Sequence, residues 1–165
     1  MMVRLTNQEF KEKYELYAQM IMNISYGYTK NKLDSEDIIQ NVFIKFLKCR
    51  KEFKSLEDEK YWLIRVTINE CKNFLKNSYN TKVLLDEKVV LNTKVEEDDK
   101  TPLMFDYVKK LPDKYKKPII LHYYNSLPIK EVSEILKISI SSVKKQLERG
   151  RKILKEMMED VYEIR

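Results

Sequence analysis

Two glycines, Gly27 and Gly150, serve this whole 165-residue chain. Glycine lets a backbone take positive φ or approach a phosphate closely, so its scarcity forbids entire classes of site. Neither a dinucleotide fingerprint nor a P-loop can be written with two glycines, and a G-x-S-x-G nucleophile elbow is excluded as well. Few Gly and four Pro, set against abundant Lys, Glu, Leu and Ile, point to helices. One histidine, His122, and two cysteines, Cys49 and Cys71, have no short ligand spacing between them. No metal site, no cofactor and no catalytic residue are therefore expected. Two unspaced cysteines in a Lys-rich chain fit a reducing, cytoplasmic setting. No apolar run approaches the roughly 20 residues of a membrane span, and no signal-peptide core opens the chain, so membrane insertion is not expected.

The charge is uneven. The net of +6 divides into +3 over residues 1–77, −2 over 78–100 and +5 over 101–165. Two basic blocks flank a short acidic stretch, and a surplus of this kind favours a polyanionic partner.

The first block reads as three or four helices. Thr6 and Glu9 form a capping box. Behind it Phe10, Tyr14, Tyr17, Ile21 and Ile24 fall on one helical stripe, with Gly27 as the stop and Asp34 or Ser35 as the next cap. Ile38, Ile39, Val42, Phe43, Phe46 and Leu47 then make the inward face of an amphipathic helix, with Asp37, Gln40, Ile44 and Lys48 on another face. Ser55 and Asp58 offer a third cap. Trp62, Leu63, Val66, Cys71, Phe74 and Leu75 continue helically to about Asn77. Residues 78–100 lack helical period and end in Glu96-Glu97-Asp98-Asp99, which reads as a linker between two domains.

The second block restarts at Thr101-Pro102, a cap followed by Pro at the first helical position. A helix to Lys110 is broken by Leu111-Pro112. Another runs within 113–125, where Pro118 must sit in the first turn or kink the helix. Two close helices follow, about 128–137 and 141–159. In the first, Val132, Ile135 and Leu136 are inward. Ser139 or Ser141 caps the second, where Val143, Leu147, Gly150 and Leu154 repeat at i, i+4, i+7, i+11. Residues 141–155 hold six basic groups and one acid. A short helix bracing a second helix with an exposed basic face is what a helix-turn-helix requires. A helical hairpin with a solvated Lys face would carry the same pattern.

The stretch from Leu111 to Leu154 resembles region 4 of bacterial sigma factors of the extracytoplasmic-function (ECF) type. The residues that carry the likeness are Leu111, Pro112, Tyr115, Leu121, Tyr123, Tyr124, Glu131, Val132, Val143, Lys144, Leu147, Arg149, Gly150 and Arg151. Independently, Asp34-Ser-Glu-Asp-Ile-Ile-Gln-Asn-Val-Phe43 and Trp62-Leu-Ile-Arg-Val-Thr-Ile-Asn69 are similar to the region 2 motifs of the same family, in the same order. The departures are Ser133 at a small packing position, Lys137 at a turn position often Gly, Ser141-Ser142 and Lys145-Gln146 around the recognition helix, and Asn73 and Lys76 in the first block. A left-handed backbone at Lys137 would cost about 1–2 kcal/mol.

The resemblance implies an all-α fold of two small helical domains, a region 2 helical bundle (1–77) and a region 4 helix-turn-helix domain (101–165), joined by a flexible acidic linker (78–100). It implies promoter-specific initiation with core RNA polymerase, bound through the clamp coiled coil and the flap. Asp37, Gln40 and Ile44 are the candidates for core-polymerase binding, while Asp34 and Glu36 suit the helix N-terminus. Residues Arg50–Glu59 correspond to the loop that captures an unstacked −10 base. Phe53, Arg65, Asn69, Lys72 and Lys76 are the −10 candidates, although Phe53 suits a core equally well. Asn69 lies among apolar residues, where a buried amide needs partners. Arg65, Lys72 and Lys76 recur at i, i+7, i+11, a line suited to phosphates and also to a plain solvated stripe. Ser142, Lys144, Lys145, Gln146, Arg149 and Arg151 are the −35 candidates. Trp62, Tyr61, Phe74 and His122 read as packing residues, and both cysteines as inert. Promoter DNA is the expected ligand, and the family adds an anti-sigma factor as a further partner. The alternative is a stand-alone helix-turn-helix regulator, which would not need the first block. A nucleic-acid enzyme fails for want of a metal cluster or a spaced carboxylate pair.

Overall fold

The computed structural model describes residues 5–85 and 104–163, and every regular element among them is helical. In the first half, α1 spans Asn7–Thr29, α2 Lys32–Lys48 and α3 Leu56–Leu85; in the second, α4 spans Met104–Lys110, α5 Asp113–Ile119, α6 Ile129–Leu136 and α7 Ile140–Glu163. A π-helical turn, Ile120–Tyr124, extends α5.

The capping box forms as expected. Thr6 Oγ1 accepts from the Glu9 amide and the Glu9 carboxylate accepts from the Thr6 amide. Gly27, however, does not stop α1, which runs on to a left-handed Lys30 with φ of 49°. Gly27 serves distance instead: a Cβ there would stand 2.7 Å from Ile120 Cδ1. The next cap is Asn31, whose side chain accepts from the Asp34 amide, rather than Asp34 or Ser35. Ser35 is buried and shares a 2.9 Å hydrogen bond with Thr29. At α3, Ser55 Oγ caps the Asp58 amide. That helix continues past Asn77 to Leu85, because no Gly or Pro between them interrupts it. The first residues assigned to the linker are thus helical. The Thr101-Pro102 cap and the acidic run at 96–99 lie outside the described residues.

α1, α2 and α3 pack pairwise into a bundle. Its core includes Ile21, Ile24, Ile38, Val42, Leu63 and Ile64, the positions that helical period places inward. Tyr14 and Leu47, read as inward from the same period, are exposed.

In the second half α5 and α6 both pack on α7. Val132, Ile135, Val143, Leu147 and Leu154 are buried between them with Leu111 and Ile119. Gly150 lets the helices close, since a Cβ would sit 3.1 Å from Ile119 Cγ1. Pro118 lies inside α5 without ending it. The backbone widens just beyond, and the Asn125 amide reaches back five residues to the Ile120 carbonyl.

The two halves touch. α1 packs against α4 and the π turn, and α3 against α6. Tyr26 meets Phe105 edge-on at 4.8 Å, Lys30 pairs with Asp106, and Asn23 donates to the Tyr124 carbonyl.

Candidate nucleic-acid interface

The turn between α6 and α7 is built from local hydrogen bonds. Lys137 takes the left-handed conformation, φ 56° and ψ 44°. The amides of Lys137 and Ile138 both return to the Ser133 carbonyl, which closes the helix end. Ser133 Oγ donates to the Ile138 carbonyl at 2.6 Å. The serine that departs from the family pattern therefore ties the turn down, a bond that alanine could not make. Of the two cap candidates it is Ser139 that acts, with its Oγ accepting from the Ser142 amide.

α7 presents its polar side to solvent. Lys144, Lys145, Arg149 and Arg151 are exposed, and Ser142 and Gln146 half-buried. At about 100° per residue, Ser142, Lys145, Gln146 and Arg149 share one arc. Lys144 and Arg151 lie across the inward stripe from it. Arg151 donates to the Tyr123 hydroxyl at 2.7 Å, which tethers α7 to the π turn. The six residues thus divide into a four-residue face and a two-residue flank.

The proposed −10 residues are less uniform. Phe53 is half-buried, stacked near Phe46 at 6.3 Å and edge-on to Trp62 at 5.6 Å. It is a packing residue whose remaining face carries the Lys51 ammonium, 5.3 Å from the ring centre. The loop around it is pinned at Asp58. The Lys54 amide, and then Lys51, hydrogen-bond that carboxylate and hold it below the usual carboxylate range. Glu59, just beyond, is buried and accepts from Lys13 and the Tyr17 hydroxyl, fixing the start of α3 against α1. Asn69 is exposed, so the argument from a buried amide falls away and it stands as an accessible polar group. Lys76 is exposed too.

Arg65 and Lys72 are engaged by the second half. Arg65 Nε donates to the Ile135 carbonyl at 2.9 Å, and its Nη2 to the Glu134 carbonyl at 3.2 Å. Lys72 pairs with Asp113 at 2.9 Å. Asp113 also accepts from the Tyr28 hydroxyl at 2.7 Å and pairs with Lys117. Burial alone would raise the Asp113 carboxyl, but these donors outweigh it and keep its pKa below the ordinary value. Lys116, buried over the Tyr28 ring, is lowered by burial.

A third surface lies on α2. Asp37 and Gln40 are exposed. Beside them are Leu33, Ile44 and Leu47, exposed by 72%, 47% and 53%. Residues 33, 37, 40, 44 and 47 follow one helical stripe. The sequence pattern missed Leu33 and assigned Leu47 to the core. The signal lay in the stripe's own period, which is as regular as that of the buried face.

The remaining singular residues are quiet. His122 Nδ1 lies 2.7 Å from the Leu127 carbonyl, which makes it the protonated nitrogen. Cys71 is fully buried, and burial pushes its thiol up to about 12. Among the described residues no group of His, Cys, Asp and Glu is placed to hold a metal. None of the described helices is long and apolar enough to cross a membrane.

Fold and surface define a two-part helical protein with a basic helix-turn-helix. The family model for sigma-70 region 2 matches residues 14–80, and that for sigma-70 region 4 matches residues 104–154. RNA polymerase sigma factor SigV of Bacillus subtilis (strain 168) is 27% identical over 140 residues, 84% of each chain. The ECF RNA polymerase sigma factor SigW of the same organism is 26% identical over 168 residues, covering 92% of this chain and 90% of that one. The fold is shared with CnrH, solved in complex with the cytosolic domain of CnrY (TM-score 0.69, 14% identity, 94% and 90% of the two chains). It is shared also with RpoE of Bartonella quintana, solved with the anti-sigma factor NepR (TM-score 0.67, 18% identity, 92% and 98%). The chain belongs to the sigma-70 family, as a sigma factor of the ECF type.

Proposed function

We propose that this chain binds core RNA polymerase and directs it to promoters by reading a −35 element with α7 and a −10 element with the loop and helix around α3. The observation that carries this is the pairing, in one chain, of an exposed basic recognition helix with an α2 stripe left exposed among the described residues. The stripe is apolar at Leu33, Ile44 and Leu47 and polar at Asp37 and Gln40. A repressor needs only the first. The α2 stripe is the clamp-binding surface, and the second half meets the flap. Ser142, Lys145, Gln146 and Arg149 contact base edges, while Lys144 and Arg151 hold phosphates on the flank. On α3, Arg65, Lys72 and Lys76 track the backbone of the opened strand, Asn69 contributes a polar contact, and Phe53 supports the base pocket from behind.

In domain terms residues 1–77 act as region 2, 78–100 as the acidic linker and 101–165 as region 4. The chain performs no bond chemistry of its own, works in the cytoplasm, and is held by an anti-sigma partner, a reading supported by RpoE of Bartonella quintana, solved with the anti-sigma factor NepR. Run-off transcription with core bacterial RNA polymerase on a promoter library tests the reading. Protein-dependent transcripts sharing two upstream elements support it. No transcripts, together with specific duplex binding by the chain alone, would replace it with a stand-alone regulator.

A further inference from the structure

The basic stretch of α7 holds a single acid. Over residues 141–155, Lys144, Lys145, Arg149, Arg151, Lys152 and Lys155 stand against Glu148 alone. Glu148 is exposed. At about 100° per residue it lies on the outward side of α7, about 40° from Lys144 and about 60° from Lys145, and directly precedes Arg149. Lys144 and Lys152 are its i−4 and i+4 neighbours, the spacing at which ion pairs form on a helix surface. Neither reaches it, whereas Lys155 and Glu159, further along the same helix, do pair at 3.9 Å. Among the described residues the Glu148 carboxylate has no hydrogen bond and no ion pair.

A carboxylate so placed repels every phosphate that it approaches, so as a merely solvated group it would weaken α7 on all sequences alike. Base edges are different. An ionised carboxylate accepts hydrogen bonds and donates none. In the major groove cytosine shows the N4 amino group and adenine the N6 amino group, while their partners guanine and thymine show acceptors. Each base pair therefore carries one amino group in that groove, on one strand or the other. A carboxylate facing one strand is attracted in one orientation of the pair and repelled by O6 or O4 in the reverse.

We propose that Glu148 is a specificity-determining residue of α7: its carboxylate accepts from the exocyclic amino group of one −35 base, cytosine N4 first and adenine N6 second, and turns away the reversed pair. The inference rests on the proposed reading of α7 as the −35 helix. The surrounding cations supply the general hold on phosphate, and the acid gives up part of that hold for discrimination.

The test selects duplex DNA from a library randomised across the −35 element, once with the full chain in holoenzyme with core bacterial RNA polymerase and once with the full chain alone. Wild type is compared with Glu148→Ala, Glu148→Gln and a charge control, Glu156→Gln, an exposed position two turns further along α7. Helical circular dichroism confirms that each variant is folded. Wild type should select cytosine at one position on one strand, and reversing that pair should weaken its binding about 5- to 150-fold. Glu148→Ala should bind both orientations alike. Glu148→Gln should move the preference to adenine, whose N6 and N7 an amide takes together, and Glu156→Gln should keep the wild-type preference. Adenine selected by wild type at that position, and lost in Glu148→Ala, supports the amino-group contact equally. Identical base preferences in wild type and Glu148→Ala overturn the inference, even if the variant binds every sequence more tightly, since the acid then acts by repulsion alone. If holoenzyme selects nothing while the chain alone shows the Glu148-dependent position, the inference stands and the sigma-factor reading fails; selection by neither overturns both.

Discussion

α3 and α7 each carry a row of cationic side chains in a DNA-binding protein, yet the two rows meet their surroundings differently. α7 keeps Lys144, Lys145 and Arg149 exposed, and its Arg151 donates to a tyrosine of the same half. α3 spends Arg65 and Lys72 on carbonyls and a carboxylate of the other half. The contrast teaches that positive charge on a helix marks a surface able to take phosphate without saying whether that surface is open. Occupancy depends on which acceptors the rest of the chain brings to it.

The largest effect should come from removing the frame that presents α7. Leu147 is buried at the contact with α5 and α6, and Leu147→Ala should destabilise the fold by about 2–5 kcal/mol. Thermal melting would register the loss, and −35 recognition should fall with it. Arg149→Ala acts on the open side of the comparison. It should weaken promoter binding by holoenzyme by about 1–3 kcal/mol and leave the melting temperature unchanged; equal affinity would remove Arg149 from the −35 face. Lys137→Gly relieves a left-handed backbone. Offset by glycine's greater entropy when unfolded, this should raise stability by about 1 kcal/mol or less without altering DNA binding, read by melting and by promoter affinity together.

The smallest effect belongs to the closed side and is acid-dependent. The Asp113 pKa is depressed in the folded chain. Its contribution is therefore complete above the unfolded value of about 3.9 and is lost as pH falls through the lower folded value. Scattering on acid titration should show the seam loosening only below about pH 4, and Asp113→Asn should lack that step. A step of equal size in the variant would assign the loosening to other carboxylates.

Much of the architecture was legible because its causes are local. The Thr6–Glu9 box, the Ser55 cap and the Val143–Leu147–Gly150–Leu154 stripe each depend on residues within a few turns. What was illegible depends on distance. Gly27 reads as a helix stop when only its neighbours are considered, but its reason is Ile120, in the other half. Arg65 reads as a phosphate contact, and nothing near it in sequence announces that it caps α6. Leu47 fits the inward period of α2 and yet is exposed, because α1 and α3 cover a narrower arc than hydrophobicity alone suggests. Asn69 was argued from burial that the packing does not impose.

The ionic character of the seam also bears on how the protein responds to salt. Binding through α7 should weaken steeply as salt rises, because each neutralised phosphate releases a counterion. On α3 the same ions screen the pairs Lys72–Asp113 and Lys60–Glu131, both partly exposed, across a Debye length of about 8 Å at physiological strength. Salt thus loosens the contact between the halves as well as the hold of α7 on DNA. Solution scattering should therefore show the seam loosening as salt rises, and by less in Asp113→Asn with Glu131→Gln, where both carboxylates are already gone.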